Sequence, residues 1–411
     1  VGGTNGKGSV CAHLAAVFHA AGLHALRFVS PHIMDVRESF QYAAGCISRQ
    51  VLAELTRELR GAAVGAERRC GELPTQFECL AALAFLWAVR EAADVLVLEV
   101  GLGGRGDATN AARRVDVSVI TNVTADHTDI LGDDPDIRAA EKAGIIRLRV
   151  PVVTGADGGA LEIIRARAAA LAAPVITVAP AAALPVYGIS DPAVATAGTK
   201  FVLSRPDGSR TPLQTSLPGR HQALNAALAV AACEQVAPFG ADREPDRGAV
   251  AAGLAQVRWP GRNEILLGAG AAVMIDAAHN PAAMEALVLT VESLFSGRPI
   301  ILVCGMLRDK DLEGSVRPWR GRVRRVITVS TPGPRGLPAD TLAGSFRAQG
   351  EMQVTSCGDW RAGLRQALAE AAGSDSVVCC CGSLYLTVPA RSYLIRMGLV
   401  SRNVRGEGLP L

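Results

Sequence analysis

Short apolar runs alternate with helix-length segments along most of this chain, and that alternation constrains its fold more than any other feature. ADVLVLEVGLGG (93–104), VDVSVITNV (115–123) and VPVVTG (150–155) each read as a buried strand. The first runs into a glycine loop and the second ends in polar residues. Strands spaced by helices build parallel sheets from βαβ units. The helices expected here are FECLAALAFLWAVREA (77–92), apolar on nearly all sides and hence well buried, and alanine-rich segments around 159–171 and 221–236. One stretch, 180–217, breaks the rhythm, and Pro206-Asp207-Gly208 between β-prone runs predicts a hairpin at a sheet edge. After RWPGRNE (258–264), which reads as a connection, the alternation restarts with AAVMID (271–276), PIILVCG (299–305), RRVITVS (324–330) and SVVCCCGS (376–383).

Composition excludes several classes. At 411 residues the chain has material for two domains with sizeable cores. Its formal net charge of +3 is spread over interspersed acids and bases, which argues against a nucleic-acid or membrane surface. Ten cysteines show no CxxC pair, so they are expected as reduced thiols packed as small apolar residues in a cytoplasmic protein. No apolar run approaches a membrane span and no signal peptide opens the chain. The first residue is Val1, not Met, so the numbering is expected to start inside a longer polypeptide, with the strand that delivers the first loop missing.

That first loop is VGGTNGKGSV (1–10). Gly3, Gly6 and Gly8 free the backbone to wrap an anion, Lys7 can reach outer phosphates, and Ser9 can ligate Mg²⁺. The strict phosphate-loop pattern is not met, because Val1 stands six residues before Lys7 and Gly8 separates Lys7 from Ser9. Other polar groups fall at strand ends, where open α/β sheets collect function. Glu99 ends VLVLE and could hold Mg²⁺ against phosphates. Asp126 and His127 follow the next strand, and Lys142 lies on a helix start in EKAGII. IDAAHNP places Asp276, His279 and Asn280 before a helix opened by Pro281, while Arg262 sits in the connection and Asn225 early in a helix. Each has an ordinary reading as a cap, a structural hydrogen bond or a surface charge.

Taken together, the strings are more specific. GTNGKGS, SPH (30–32), TQFE (75–78), EVGLGGRGDATN (99–110), DHTDILG (126–132), EKAGI (141–145), HQALNAALA (221–229), PGR (260–262), DAAHNP (276–281), GMLRDKD (305–311) and CGSLY (381–385) resemble, in order and spacing, the folylpolyglutamate synthase/dihydrofolate synthase family within the Mur ligase superfamily. The resemblance implies an α/β architecture: a P-loop nucleotide-binding domain with a mostly parallel sheet over 1–262, and a smaller C-terminal Rossmann-like α/β domain over 263–411. It also implies an ATP-dependent ligase that adds L-glutamate to a dihydropteroate or folate carboxylate through an acyl phosphate.

By the same resemblance, Asn5, Gly6, Lys7, Gly8 and Ser9 hold the phosphates, and Asn225, Arg262, Asp276 and His279 contact ATP. Ser30, Glu99 and His127 match magnesium ligands. Lys142 matches a lysine that is carbamylated in the superfamily and supports a second metal; a monovalent cation is a further candidate. Lys7, Lys142 and His127 are the expected catalytic groups. Thr75, Gln76, Phe77 and Glu78, with Gly106, Asp107 and Ala108, match segments lining the pterin region. His279 and Ser383 are expected near the glutamate donor. The implied partners are ATP, L-glutamate and a pteroate or folate, with no nucleic acid and no membrane, acting on a cytoplasmic monomer.

The chain also departs from the family. Asp35 and Ser39 stand at two positions where arginines are usual, and Gly106 replaces a usual leucine. Two lost cations near the acceptor would alter recognition of an anionic tail. These departures keep open a ligase of the same mechanism acting on another carboxylic acid, while the expected missing first strand keeps open an inactive nucleotide-binding or structural relative.

Overall fold

The apolar runs form strands where they are expected, in a computed structural model that describes residues 1–42, 45–124, 134–180, 187–236, 247–268, 270–350 and 353–402. Ser118–Ile120, Val152–Thr154 and Val175–Pro180 run parallel, and Tyr187–Ala195 extends the same sheet. Gly198–Ser204 and Arg210–Thr215 then add antiparallel strands, the second at the edge. Their turn holds Gly208 at φ +83°, the hairpin expected at Pro206-Asp207-Gly208. A smaller sheet pairs Ala25–Phe28 in parallel with Val95–Leu98 and antiparallel with Phe40–Tyr42.

Val1 and Gly2 lie between these two sheets. Val100 N donates to Val1 O at 2.9 Å, Gly2 N donates to Val119 O at 2.7 Å, and Thr121 N returns a bond to Gly2 O at 3.0 Å. The helix Lys7–Ala20 follows and packs against the helices Arg220–Cys233 and Arg247–Gln256. Its apolar side joins the alanine-rich Arg220–Cys233 helix in one buried cluster, where small side chains let the helices approach closely.

From Glu264 onward the chain builds a separate sheet. Its order is Val354–Cys357, Arg325–Val329, Ile300–Cys304, Val377–Cys381, Ala271–Ile275, Glu264–Gly268 and Val400–Ser401. The first five are parallel and the last two antiparallel. Apolar clusters cover both faces, as a doubly wound sheet requires. Cys379, Cys380 and Cys381 are all fully buried in its centre, as thiols acting as small apolar residues. Among the described residues no helix is long and apolar enough to cross a membrane.

The helix expected over 77–92 forms as Gln76–Arg90, but it is buried on one face only. Leu80, Leu83, Ala84 and Trp87 pack on the small sheet, with Trp87 edge-on to Phe40 at 6.1 Å, whereas Val89 is 81% exposed. The reason is tertiary: the helix Arg49–Cys70 covers part of its outer side and water the remainder. Trp87→Ala is therefore expected to cost about 3–5 kcal/mol of stability and Val89→Ala no more than about 0.5 kcal/mol, read by urea denaturation.

Candidate active site

The glycine loop turns on Gly6, whose φ of +84° suits a residue without a side chain; a Cβ there would stand 2.5 Å from Asn225 Oδ1. Gly8, the departure from the strict pattern, has a packing cause. A Cβ at Gly8 would lie 2.8 Å from the Trp259 ring, so the first helical turn must be bare on that side. No side chain caps the helix Lys7–Ala20 and no acid occupies its first turn, which leaves its amide N–H groups and positive dipole end aimed at an anion. Lys7 Nζ curls over the loop and donates to the carbonyls of Gly3 and Thr4 at 3.2 Å each. Neighbouring strand ends hold the loop: Asn5 N donates to Asn122 Oδ1 at 2.9 Å and Thr121 Oγ1 donates to Asn5 O at 2.7 Å.

Glu99 follows the strand Val95–Leu98 and is buried. Burial pushes its carboxyl pKa up, and Lys7, Arg262 and the Ser30 N–H, 3.4 Å away, oppose that rise. Asp107 is bound into its own loop. Its two oxygens accept from the N–H groups of Gly101, Leu102 and Thr109 and from the Thr109 hydroxyl. Thr75 and Glu78 form a reciprocal capping box at the start of the helix Gln76–Arg90. Asp35 chelates Arg37 through Nε and Nη2, and the guanidinium lowers the Asp35 pKa.

The sheet from Glu264 onward supplies the facing wall. Asp276 follows the strand Ala271–Ile275 and accepts from Asn263 N at 2.9 Å and Ala278 N at 2.7 Å. Asn280 caps the helix Pro281–Leu294 and exchanges two amide hydrogen bonds with Asn5, at 2.9 and 3.2 Å. Asn263 Nδ2 reaches back to Pro218 O at 2.8 Å, so the connection is tied to both halves. His221 lies beside it; desolvation lowers its pKa, Asp276 opposes that shift and Arg262 adds to it.

These walls enclose one cleft of about 1040 Å³. It is lined by Asn5, Gly6, Lys7, Gly8, Ser9, Ser30, Glu99, Asn225, Arg262, Asp276 and His279, and by Thr75, Gln76, Phe77, Glu78, Gly106, Asp107 and Ala108. Lys142 falls in the last turn of the helix Pro135–Ala143, not at a helix start, and stands behind the glycine loop, buried, with Nζ 3.3 Å from Gly3 O, while Glu141 beside it borders the cleft. His127 and Asp126 lie outside the described residues. Among the described residues no three His, Cys, Asp or Glu side chains are grouped to hold a metal by themselves.

Ser39, singled out as a departure near the acceptor, lies in the cleft wall, and sequence reasoning assigned no individual role to His221, Gln222, Asn263, Lys310, Arg335 and Tyr385, which lie there too. A signal existed for two of them: His221 and Gln222 precede Asn225 by four and three residues, the spacing of one helix face. Asn263 and Arg335 carried none, because their placement depends on turns joining distant strands.

The Mur ligase middle domain profile matches residues 1–233 and the Mur ligase, glutamate ligase domain profile matches residues 261–384. The dihydrofolate synthase/folylpolyglutamate synthase of Bacillus subtilis is 31% identical over 399 residues, covering 96% of this chain and 89% of that protein. A probable bifunctional folylpolyglutamate synthase/dihydropteroate synthase of Haloferax volcanii is 35% identical over 398 residues, and the chain spans only 45% of that longer protein. Folylpolyglutamate synthase of Mycobacterium tuberculosis, complexed with ADP and AMPPCP, superposes with a TM-score of 0.87 at 31% identity, over 95% of this chain and 89% of that one. Escherichia coli FolC, in complex with DHPP and ADP, gives a TM-score of 0.79 at 29% identity, over 97% and 88%. On fold, on matched domains and on identity over nearly its whole length, the chain belongs to the folylpolyglutamate synthase/dihydrofolate synthase family of ATP-dependent glutamate ligases.

Proposed function

We propose that this chain joins L-glutamate to the carboxylate of a pteroate or folate, with ATP activating that carboxylate as an acyl phosphate. One observation carries the reading: the phosphate loop of the first half, Arg262 of the connection and Asp276 of the second half line a single cleft. The division of labour falls at residues 262 and 263, with nucleotide and acceptor on the 1–262 side and the amino donor against 263–411. The family resemblance extends to a cytoplasmic monomer whose partners are small molecules.

The chemistry asks for cations where negative charge gathers. An acceptor carboxylate oxygen attacks the γ-phosphorus, ADP departs, and the donor amine then attacks the acyl carbon, expelling phosphate and losing a proton. Lys7, the bare helix end and Arg262 counter the charge on the transferring phosphoryl group. The Asn5–Asn280 amide pair joins the phosphate loop to the second half, which keeps water from an intermediate that hydrolysis would waste. Asn225, packed on Gly6, fixes the loop's curvature.

The oxygen donors of Glu99 and Ser30 suit Mg²⁺, because a buried carboxylate whose pKa is raised by burial gains from a cation beside it. These two residues, with His127, would hold one ion, and a carbamate on Lys142 would help hold a second. When bound, such ions neutralise charge between the triphosphate and the acceptor. A second reading, a non-folate acid as acceptor, is favoured by the Asp35–Arg37 chelate: the arginine nearest the lost cations is already engaged.

Incubation with Mg²⁺, ATP, L-glutamate and either dihydropteroate or tetrahydrofolate is expected to release ADP and add one glutamate residue to the acceptor mass. ATP binding with no mass gain on both would move the acceptor to another acid. Lys7→Ala should lower kcat/KM by about 10²-fold or more and weaken ATP binding, and unchanged kinetics would refute the phosphate-loop role. Lys142→Ala should abolish amide formation while largely preserving ATP binding, with partial rescue by added short carboxylic acids; wild-type turnover would remove its assigned role.

A further inference from the structure

The turn that carries Arg262 is anchored by two buried charges to which the reaction assigns no work. Arg262 stands between Gly261 at φ +70° and Asn263 at φ +48°, the two residue types that best accept a left-handed backbone, so the local sequence permits the turn and hydrogen bonds from outside fix it. Three backbone bonds to the second half hold it. Ala277 N donates to Gly261 O at 3.2 Å, Asn263 N donates to Asp276 Oδ2 at 2.9 Å, and Gly261 N donates to Glu264 Oε2 at 2.9 Å. The same Glu264 oxygen accepts Arg391 Nε at 2.6 Å, and the two side chains are 1% and 7% exposed. Arg391 lies eight residues after Ser383 on the helix Leu384–Arg396, about 12 Å along its axis. Ser383 and Tyr385, at the start of that helix, line the cleft on the donor side.

A buried ion pair is a poor stability device, since apolar residues of similar volume commonly replace one without loss. What an apolar side chain cannot do is accept the buried N–H of Gly261, which needs a partner. We propose that Glu264, fixed by Arg391, is the positioning residue that aims Arg262 into the cleft. The proposal rests on the reading of Arg262 as a nucleotide contact. Its consequence is geometric: the helix that borders the donor side and the turn that faces the nucleotide share one rigid anchor, so both move with the second half as a unit. Arg262 lines the same cleft as Glu99 and His221, so a small rotation of its turn changes the field there.

The test compares variants of the full chain by thermal melting and by steady-state ADP release with ATP and L-glutamate varied in turn. The double variant Glu264→Met with Arg391→Met removes both charges and leaves neither unpaired. It should melt within about 4 °C of the wild type, yet show a KM for ATP raised about tenfold with KM for L-glutamate unchanged. Partial unfolding lowers kcat by lowering the active fraction and leaves KM alone, so the split separates positioning from a structural role. Glu264→Gln keeps an oxygen for Gly261 and should hold KM for ATP within about twofold. A double variant that melts normally with wild-type KM for ATP overturns the proposal. Should that variant not fold, Arg391→Lys, which retains the charge and withdraws the Nε donor, is expected to raise KM for ATP about threefold, and no change overturns the proposal equally. Arg262→Ala run in parallel isolates the underlying reading: an unchanged KM for ATP in that variant refutes the nucleotide contact itself.

Discussion

Everything at the active site depends on two residues of backbone. Val1 and Gly2 hydrogen-bond to Val100 on one side and to Val119 and Thr121 on the other, joining two sheets whose strands end just before Glu99 and Thr121. The phosphate loop therefore leaves at the carboxyl ends of those strands, with its side-chain partners already around it. Asn122 takes the Asn5 amide, Thr121 takes the Asn5 carbonyl, and Glu99 lies within electrostatic reach of Lys7. A glycine-rich segment has little conformational preference of its own, so these contacts supply the order that the local sequence lacks.

The second half meets this loop through short polar groups rather than an apolar face. Asn263 donates to Pro218 across the connection, Asn5 and Asn280 exchange amide bonds, and Asp276 fastens the turn after Arg262 to its own sheet. Each such bond nets only about 0.5–1.5 kcal/mol, far less than a large apolar interface would contribute. The rigid parts are placed elsewhere, in the fully covered sheet from Glu264 onward and in the helix cluster around Ala226–Cys233.

Much of this was legible in the sequence. The parallel strands at 95–98, 118–120, 152–154, 271–275, 300–304, 325–329 and 377–381 follow from continuous apolar runs, which only a sheet covered on both faces accommodates. The strand Ala25–Phe28 was not legible, because ALRF is four residues with an arginine inside, and Arg27 stacks over Trp259 at 4.8 Å, a partner 232 residues away. Of the residues matched to the acceptor region, Thr75, Glu78 and Asp107 border the cleft while their polar atoms bind neighbouring backbone, so part of their signature is local architecture. A motif string cannot separate a side chain that binds a ligand from one that shapes the loop beside it.

By itself, the sequence determined the class of the fold and the family. Apolar periodicity selects covered parallel sheets, and strings such as GTNGKGS and DAAHNP carry the family resemblance. Only the tertiary structure decided how those groups face one another. It set Gly8 against Trp259, engaged Arg37 with Asp35, put Lys142 behind the loop and hung Arg262 from Glu264 and Arg391. The physical reason is separation along the chain. Asn5 and Asn280 lie 275 residues apart, as Glu264 and Arg391 lie 127 apart, and no local propensity carries information over such spans. Their meeting is fixed by sheet order and by the few left-handed turns that aim each strand's end at the cleft.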